Sequence, residues 1–170
     1  LSSRIWTSEI HIDSIKLLGE ISKALISGPI LFIDYMLEAK RYYNSSRDSG
    51  TIIAYKNQIA NSNILENVGL CDLTSHQCID TLTIYAKQNG LDLIGEVRQG
   101  QALLALGLAQ KIYSLRHFHN NKIEKVLRSR ENLLRLVDPA SLGEFRWIAF
   151  QKIEKGSSIH FYTKFLDIPD

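Results

Sequence analysis

Two clusters that mix cations with aromatic side chains are the residues best suited to bind a ligand. Such clusters suit single-stranded nucleic acid, because cations follow the phosphates while aromatic rings stack on the bases. The same composition is also common where tyrosines anchor helix ends and cations lie near helix C-termini. The clusters are Tyr113, Arg116, His117, Phe118 and His119 in one segment, and Lys40, Arg41, Tyr42, Tyr43 and Arg47 in another.

A basic amphipathic helix is predicted over residues 122–137. Its apolar residues, among them Ile123, Leu127 and Leu134, fall within about 120° of one another at helical spacing. Arg130 falls inside this apolar stripe, which suits either a buried, paired arginine or a contact with another subunit. The cations on the opposite side are Lys122, Lys125, Arg128 and Arg135. They form either an electrostatic strip for nucleic acid or a solvated face that keeps the protein soluble.

No residue pattern points to a metal site or to catalysis. Cys71, His76 and Cys78 offer metal-ligand atoms, but structural zinc needs four ligands, usually in close pairs that are missing here. Asp34 and Glu38 are one helical turn apart and are interpreted as surface acids. Nucleophile elbows, phosphate-binding glycine loops and zinc-protease signatures do not occur. We therefore predict no catalytic residues, no metal and no cofactor.

Composition indicates one globular domain spanning residues 1–170, of which 45% are hydrophobic and 22% are charged. The net charge is only +2, yet residues 111–135 carry seven Lys and Arg against two Glu, a local charge of +5. Two cysteines favour a reducing compartment, so we expect a cytoplasmic protein without a membrane span. The chain begins with Leu1, which is consistent with processing, a non-standard start or a piece of a longer reading frame.

The apolar periodicity predicts an all-α bundle of five or six helices with a short irregular or β-like C-terminal tail. Short connections favour antiparallel neighbours. The tail, residues 157–168, suits a docking segment or the second strand of a hairpin. The predicted helices cover residues 8–27, 29–44, 75–89, 96–115, 122–137 and 141–155, with residues 51–64 as a less clear seventh.

Residues 96–115 are predicted to form the central helix of this bundle. No polar side chain occurs between Ala102 and Ala109, and a helix that is apolar on every side is usually buried. Leu104 and Leu108 should therefore both be buried, with a cost of about 2–5 kcal/mol when either is changed to Ala. This helix would brace the basic segment that follows it.

On its size, its helical bundle and its basic helices, the chain resembles the small subunit of a type I CRISPR Cascade complex. In some subtypes that subunit is made from the C-terminal part of the large subunit through an internal start. The resemblance implies a non-catalytic protein of antiviral defence, present in several copies beside other subunits of a multi-protein complex. It would stabilise guide RNA with its target, or a displaced single-stranded DNA.

Under this resemblance the two basic clusters and the basic helix become the candidate nucleic-acid interface. The alternative is a helical protein-interaction or regulatory module without a nucleic-acid role, whose basic stripe meets an acidic partner. The candidate nucleic-acid-binding residues are Arg116, His117, Lys122, Lys125, Arg128, Arg135, Lys40 and Arg41.

Overall fold

The computed structural model describes residues 5–117, 123–154, 156 and 160–168. The described residues form two compact units, one within the ranges 5–21 and 36–89 and the other within the ranges 22–35 and 90–168. The elements are α1 (Ile12–Ala24), β1 (Gly28–Asp34), β2 (Met36–Leu37), α2 (Ala39–Tyr42), β3 (Ile53–Lys56), β4 (Ile59–Asn61), β5 (Asp72–Thr74), β6 (Gln77–Cys78), α3 (Ile79–Gln88), β7 (Asp92–Arg98), α4 (Gln99–Ala105), α5 (Leu108–Ser114), α6 (Ile123–Arg135) and β8 (Arg146–Lys152), with 3₁₀ turns at Ser45–Arg47, Leu115–His117, Leu142–Glu144 and Lys164–Leu166.

The second unit is built on a sheet in which β8 lies between β1 and β7. Both neighbours are antiparallel to β8, so β1 and β7 run parallel to each other. The register with β1 is regular over seven residues, from Gly28 opposite Lys152 to Asp34 opposite Arg146. The sheet therefore has an end at which the two parallel strands finish and the antiparallel strand begins.

Both faces of this sheet carry buried side chains. Val97 and Ala149 on the strands pack with Ala102 of α4 and with Phe165 of the last 3₁₀ turn. The Trp147 ring meets the Phe165 ring edge-on, with centroids 5.5 Å apart. On the opposite face, the fully buried Phe150 side chain meets Phe32 of β1 in the same edge-on geometry. Aromatic pairs at this distance and angle add to the stabilisation from area burial.

The first unit holds two smaller sheets, a parallel pair of β2 with β6 and an antiparallel order β4-β3-β5. Asn57 and Gln58 join β3 to β4 with positive φ angles of 50° and 64°. Two consecutive positive φ values define the hairpin turn whose twist matches that of the flanking strands. The core of this unit packs Leu37, Tyr42 and Cys78 together.

The prediction of an all-α bundle is wrong, because three of the predicted helices are largely replaced by strands. Residues 29–44 form β1, β2 and the four-residue helix α2, while residues 51–64 form the hairpin of β3 and β4. A short apolar run such as Ile30 to Ile33 suits a buried strand as well as a helix. Pairing with β8, which is distant in sequence, decides between the two.

The predicted helix over residues 141–155 is also a strand, apart from one 3₁₀ turn at Leu142–Glu144. Ser141 makes no side-chain capping hydrogen bond. The carboxylate of Glu144 accepts a hydrogen bond from Arg98 instead of reaching back to cap a helix. The capping-box spacing is therefore present without its geometry, and Arg146–Lys152 forms the central strand β8.

The predicted central helix over residues 96–115 is wrong as well. Its first three residues end β7, and the rest is divided into α4 and α5 at Gly107. Gly107 has φ +94°, a left-handed conformation that a continuing right-handed helix does not allow. Leu104 is 42% exposed, so its predicted burial is wrong, and Leu108 is half-buried.

Three predicted helices are confirmed in the structure, α1, α3 and α6. The helix predicted over residues 75–89 starts later than expected, because Gln77–Cys78 is strand β6 and Cys78 occupies the N-cap. That the chain forms a single domain stays a prediction. Within the described residues, no helix is long and apolar enough to cross a lipid bilayer.

Candidate functional site

The predicted basic strip lies on α6, which has no buried residue among those described. Lys125, Arg128 and Arg135 are exposed on this helix, and Lys122 lies outside the described residues. The apolar stripe opposite them is also accessible, since Ile123 is 76% and Leu127 57% exposed. Contact of these cations with nucleic acid stays a prediction that the geometry does not test.

Arg116 lies over an aromatic ring. Its guanidinium carbon is 3.2 Å from the centroid of the Tyr113 ring, a cation–π arrangement. Both residues line a groove of about 580 Å³ between the α5 region and α6. The predicted alternatives for Arg130 were a buried ion pair or a subunit contact; it is exposed and lines this same groove. His117 ends the adjacent 3₁₀ turn. The groove is lined by Ala109, Ile112, Tyr113, Leu115, Arg116, Val126, Leu127 and Arg130.

The second basic cluster belongs to the first unit. Lys40 and Arg41 are exposed on the short helix α2, whereas Tyr42 of the same helix is 1% exposed. The Tyr43 ring packs edge-on against Tyr42, with centroids 4.8 Å apart. The burial of Tyr42 therefore agrees with the alternative interpretation of this cluster, in which tyrosines anchor helix ends.

Tyr42 belongs to a polar network that sequence reasoning missed. Its hydroxyl donates to Glu9 Oε2 at 2.9 Å and lies 3.0 Å from His11 Nε2. Glu9 also accepts hydrogen bonds from the backbone N–H groups of Thr51 and Ile52 at 2.7 and 2.9 Å, and from the Thr51 hydroxyl at 3.0 Å. A single carboxylate thus fixes the segment before α1 to the loop before β3.

Burial and the hydrogen bond to Glu9 raise the pKa of Tyr42 to about 12. Burial alone would raise the pKa of Glu9, but hydrogen bonds from Thr51 N, the Tyr42 hydroxyl and Ile52 N hold it below its ordinary value. The Tyr42 hydroxyl therefore stays protonated and donates this hydrogen bond throughout the physiological range, and Glu9 accepts it. This pairing stabilises the fold of the first unit and leaves neither group free to exchange protons with a substrate.

The second unit concentrates charge at the end of its sheet where β1 and β7 finish. Asp34, the last residue of β1, is directly opposite Arg146, which is in turn opposite Arg98 at the end of β7. We call this end the carboxyl edge. In open sheets with parallel strands, ligands bind in the crevice outside the carboxyl ends of those strands.

Two ion pairs order the carboxyl edge. Arg98 Nη1 lies 2.5 Å from Glu144 Oε1, and Arg146 Nη1 lies 3.7 Å from Glu96 Oε1. Arg146 is only 8% exposed, so its charge must be compensated within the protein. Asp34 accepts a 2.7 Å hydrogen bond from the backbone N–H of Tyr35. The edge thus presents carboxylates and guanidinium groups that are paired with one another.

An aromatic surface adjoins these charges. The rings of Tyr35 and Phe145 meet edge-on with centroids 5.5 Å apart. Behind them, Gln99 is buried; its amide nitrogen donates to the carbonyl oxygens of Leu136 and Leu142, and its amide oxygen accepts from Trp147 Nε1. This buried amide holds the loop between α6 and β8 against the sheet.

Two glycines let the same loop pack closely on α4. A Cβ added to Gly143 would lie 2.4 Å from the carbonyl oxygen of Val137, and one added to Gly100 would lie 2.9 Å from that same oxygen. Both contacts are with backbone, which cannot swing aside. The glycines near the carboxyl edge are therefore packing residues.

The carboxyl edge could bind a ligand through two kinds of contact. Its carboxylates can accept hydrogen bonds from hydroxyl and ammonium groups, and its aromatic rings can stack on a planar ligand. Among the described residues, no three His, Cys, Asp or Glu side chains converge as a metal site would need. Sequence reasoning placed Asp34 on a helix surface. The signal it lacked was the strand, whose bounds Gly28-Pro29 and Asp34-Tyr35 flank an uninterrupted apolar run.

Comparisons with known proteins identify the fold. Residues 2–97 match the profile of a protein family. The crystal structure of an uncharacterized protein from Burkholderia thailandensis superposes with a TM-score of 0.81 and 23% identity, covering 95% of this chain and 41% of that one. A second structure from the same organism and superfamily is bound to S-adenosyl-homocysteine. It superposes with a TM-score of 0.81 and 23% identity, covering 94% of this chain and 40% of that one. No curated protein sequence matches the chain.

The chain spans about two fifths of the length of these related structures. The family match contradicts the resemblance to a CRISPR small subunit and, with it, the expected guide RNA, single-stranded DNA and partner subunits. The prediction of a non-catalytic protein is wrong for the same reason, since the family is one of methyltransferases. Neither an RNA-guided complex nor the alternative regulatory module is supported. The matched residues cover more than half of the sequence, so the chain belongs to the family described as "Putative S-adenosyl-L-methionine-dependent methyltransferase".

Proposed function

We propose that this chain forms part of an S-adenosyl-methionine-dependent methyltransferase, with the carboxyl edge as one wall of the methyl-transfer site. The observation that carries the proposal is the family match over residues 2–97, which includes β1 and most of β7. The related structure that binds S-adenosyl-homocysteine supports it, because that molecule is the methyl donor after its methyl group has left.

The residues of the carboxyl edge fit some groups of this donor. Asp34 is placed to accept hydrogen bonds from ribose hydroxyls or the donor's ammonium group, and Tyr35 and Phe145 offer rings for the adenine. Arg98 and Arg146 could bind the donor's carboxylate, but each already has a glutamate partner.

The described residues do not fit a complete donor site. Close approach of backbone to a nucleotide-like ligand commonly uses closely spaced glycines at a strand-to-helix turn. Here Gly100 and Gly143 are packed on Val137, and a Cβ on Gly95 would lie 2.7 Å from Leu166. The described part of the chain therefore supplies one wall, and the chemistry of transfer requires residues beyond those at this edge.

S-adenosyl-homocysteine titrated into the isotopically labelled chain tests this proposal by nuclear magnetic resonance. We expect amide shift changes at Asp34, Tyr35 and Phe145, with an affinity of about 1 mM or weaker because only one wall is present. D34N should weaken this binding by about threefold or more, since a hydrogen bond to a charged group is lost.

D92N is the matched control, because Asp92 is exposed at the opposite end of the same sheet. It should leave the affinity within about twofold of the parent chain. Shift changes that avoid the carboxyl edge, or an affinity that D34N and D92N alter equally, would overturn the assignment of this wall.

The compartment belongs to the same proposal. Cys71 and Cys78 are both free thiols, and free thiols are usual where glutathione and thioredoxin keep cysteines reduced. We propose on this basis that the protein acts in the cytoplasm. Cell fractionation with an antibody against the chain tests it, and recovery outside the cytoplasmic fraction would contradict it.

A further inference from the structure

The sheet of the second unit has two outer strands, and they differ in how they are protected. In the described part of the chain, β1 and β7 each pair with β8 alone. An outer strand offers a row of backbone N–H and C=O groups to any strand that approaches. Proteins usually prevent such pairing with charged side chains, β-bulges or a covering segment.

The β7 edge carries two of these protections. Its pairing with β8 is irregular between Leu93 and Gly95, which is a bulge. Charged side chains occur at Asp92, Glu96 and Arg98. Leu166 of the last 3₁₀ turn packs on the face of the sheet at Gly95 and does not cover this edge. An incoming strand would therefore meet a twisted and charged edge.

The β1 edge carries almost none of these protections. Its register with β8 runs without a shift over seven residues, and no charged residue occurs before Asp34 at its end. Pro29 removes one backbone donor near the start of the strand. Leu31 and Ile33 are 43% and 46% exposed, which is unusual for adjacent apolar residues on one face of a regular strand.

The exposed residues of β1 continue the apolar core. Leu31 lies opposite Ala149 and Ile33 opposite Trp147, and residues directly opposite in a sheet project from the same face. Ala149 and Trp147 are covered by Ala102 of α4 and by Phe165. The covered apolar face thus extends sideways to Leu31 and Ile33 and stops there uncovered.

We propose that the free edge of β1 is paired by a β-strand from the part of the family fold that this chain does not contain. The related chains hold about three fifths of their length outside the matched region, while 95% of this chain is already superposed on them. The partner strand should present apolar residues on the face of Leu31 and Ile33. This inference rests on the proposed function, because the same added part would supply the missing walls of the donor site.

Co-expression tests the pairing without any methyl donor, so its outcome is separate from that of the donor titration. The probe is the portion of the Burkholderia thailandensis protein that this chain does not cover, carrying an affinity tag. We expect a one-to-one complex by light scattering, in which the β1 amides gain about tenfold or more in protection from hydrogen exchange. The β7 amides should not change.

The variant L31K/I33K places charges on the exposed face of β1 and should weaken the complex by about tenfold or more. L93K is the matched control, because Leu93 is 47% exposed on β7; it should leave the affinity within about twofold. L31T/I33T is a second variant for the case in which the lysine variant does not fold, because threonine has a high strand propensity. It should also weaken the complex. Circular dichroism verifies that each variant folds.

Three outcomes would overturn the proposal. One is that the parent chain forms no complex with the probe. Another is a complex that L31K/I33K and L93K affect equally. The last is a chain that dimerises on its own through β1, shown by light scattering and loss of the dimer in L31K/I33K, since a second copy would then be the occupant.

Discussion

Asp34 and Arg146 lie directly opposite each other where β1 ends and β8 begins. Arg146 is 8% exposed and also has a Glu96 oxygen 3.7 Å away. A cation this deeply placed must keep its partners, because a buried charge without compensation is costly. The position of this arginine therefore ties the stability of the sheet to the carboxylates of the candidate site.

Changing Arg146 to Gln should lower the free energy of unfolding by about 1–3 kcal/mol. The loss comes from leaving Glu96 without its ion pair and from replacing a buried guanidinium by a shorter amide. Urea unfolding of both proteins measures it. K16Q is the control, because Lys16 forms an exposed pair with Asp13 and its loss should cost under about 0.5 kcal/mol. Equal costs for the two variants would contradict the role of Arg146.

Acid should destabilise the first unit through Glu9. Its folded pKa is lowered, so the stability it contributes is complete above its ordinary value of about 4.3 and is lost as the pH falls through the lowered value. E9Q should be less stable than the parent at neutral pH and should show a shallower decline in acid. Thermal unfolding between neutral pH and strong acid measures both curves, and parallel curves would refute the assignment.

Alkali should act through Tyr42. Its folded pKa is raised to about 12, so its contribution to stability is complete below its ordinary value of about 10 and is lost as the pH rises towards 12. Y42F should remove this alkaline decline and cost about 1 kcal/mol at neutral pH, since Glu9 loses a donor. Ultraviolet titration of the tyrosines checks the point directly: one late-titrating group should disappear in Y42F.

Two glycine substitutions should have opposite signs. G143A should destabilise the second unit by about 1–3 kcal/mol, because its Cβ would collide with the backbone of Val137 and Asp138. G19A should stabilise α1 by up to about 1 kcal/mol, because Gly19 is helical and its Cβ would meet only the Asn89 side-chain oxygen, at 3.3 Å. Calorimetric melting temperatures distinguish the two. Stabilisation by G143A would show that this loop is not closely packed.

Leu104 provides a test of the divided central segment. As an exposed residue of α4 it should cost under about 1 kcal/mol when changed to Ala, instead of the 2–5 expected for a core leucine. F150A is the contrast, since Phe150 is fully buried and should cost about 3–5 kcal/mol. Chemical unfolding measures the free energy of unfolding of both variants. Similar losses in the two would indicate that Leu104 lies in a buried helix.

The helices that could be predicted from the sequence are those with strong local signals. α1 and α6 show helical periodicity, and α3 ends just before Gly90, whose φ of +73° suits a helix C-terminus. β1 could not be assigned, because its apolar run is equally consistent with a buried helix and its partner β8 is remote in sequence. The apolar stretch around Gly107 predicts one helix, because nothing in the sequence indicates that this glycine takes a left-handed conformation.

The candidate site was harder to predict than the fold. Local spacing makes Asp34 a surface acid of a helix, because strand pairing alone brings Arg146 and Arg98 to the same end of the sheet. Exposed cations on α6 and the contact of Arg116 with Tyr113 were within reach, since both depend on residues a few positions apart. Sites defined by local spacing can be predicted from the sequence, whereas sites assembled by pairing of distant strands cannot.

The central position of β8 has a consequence for synthesis of the protein. β8 is the last strand of the described chain, yet it pairs with β1, the first. At typical translation rates, roughly ten seconds separate the emergence of the two strands from the ribosome. During this interval the apolar segment that becomes β1 lacks its partner strand β8, so both of its edges are unpaired. The nascent chain is therefore most prone to aggregation before β8 appears, and a ribosome-associated chaperone that binds apolar strands should raise its yield.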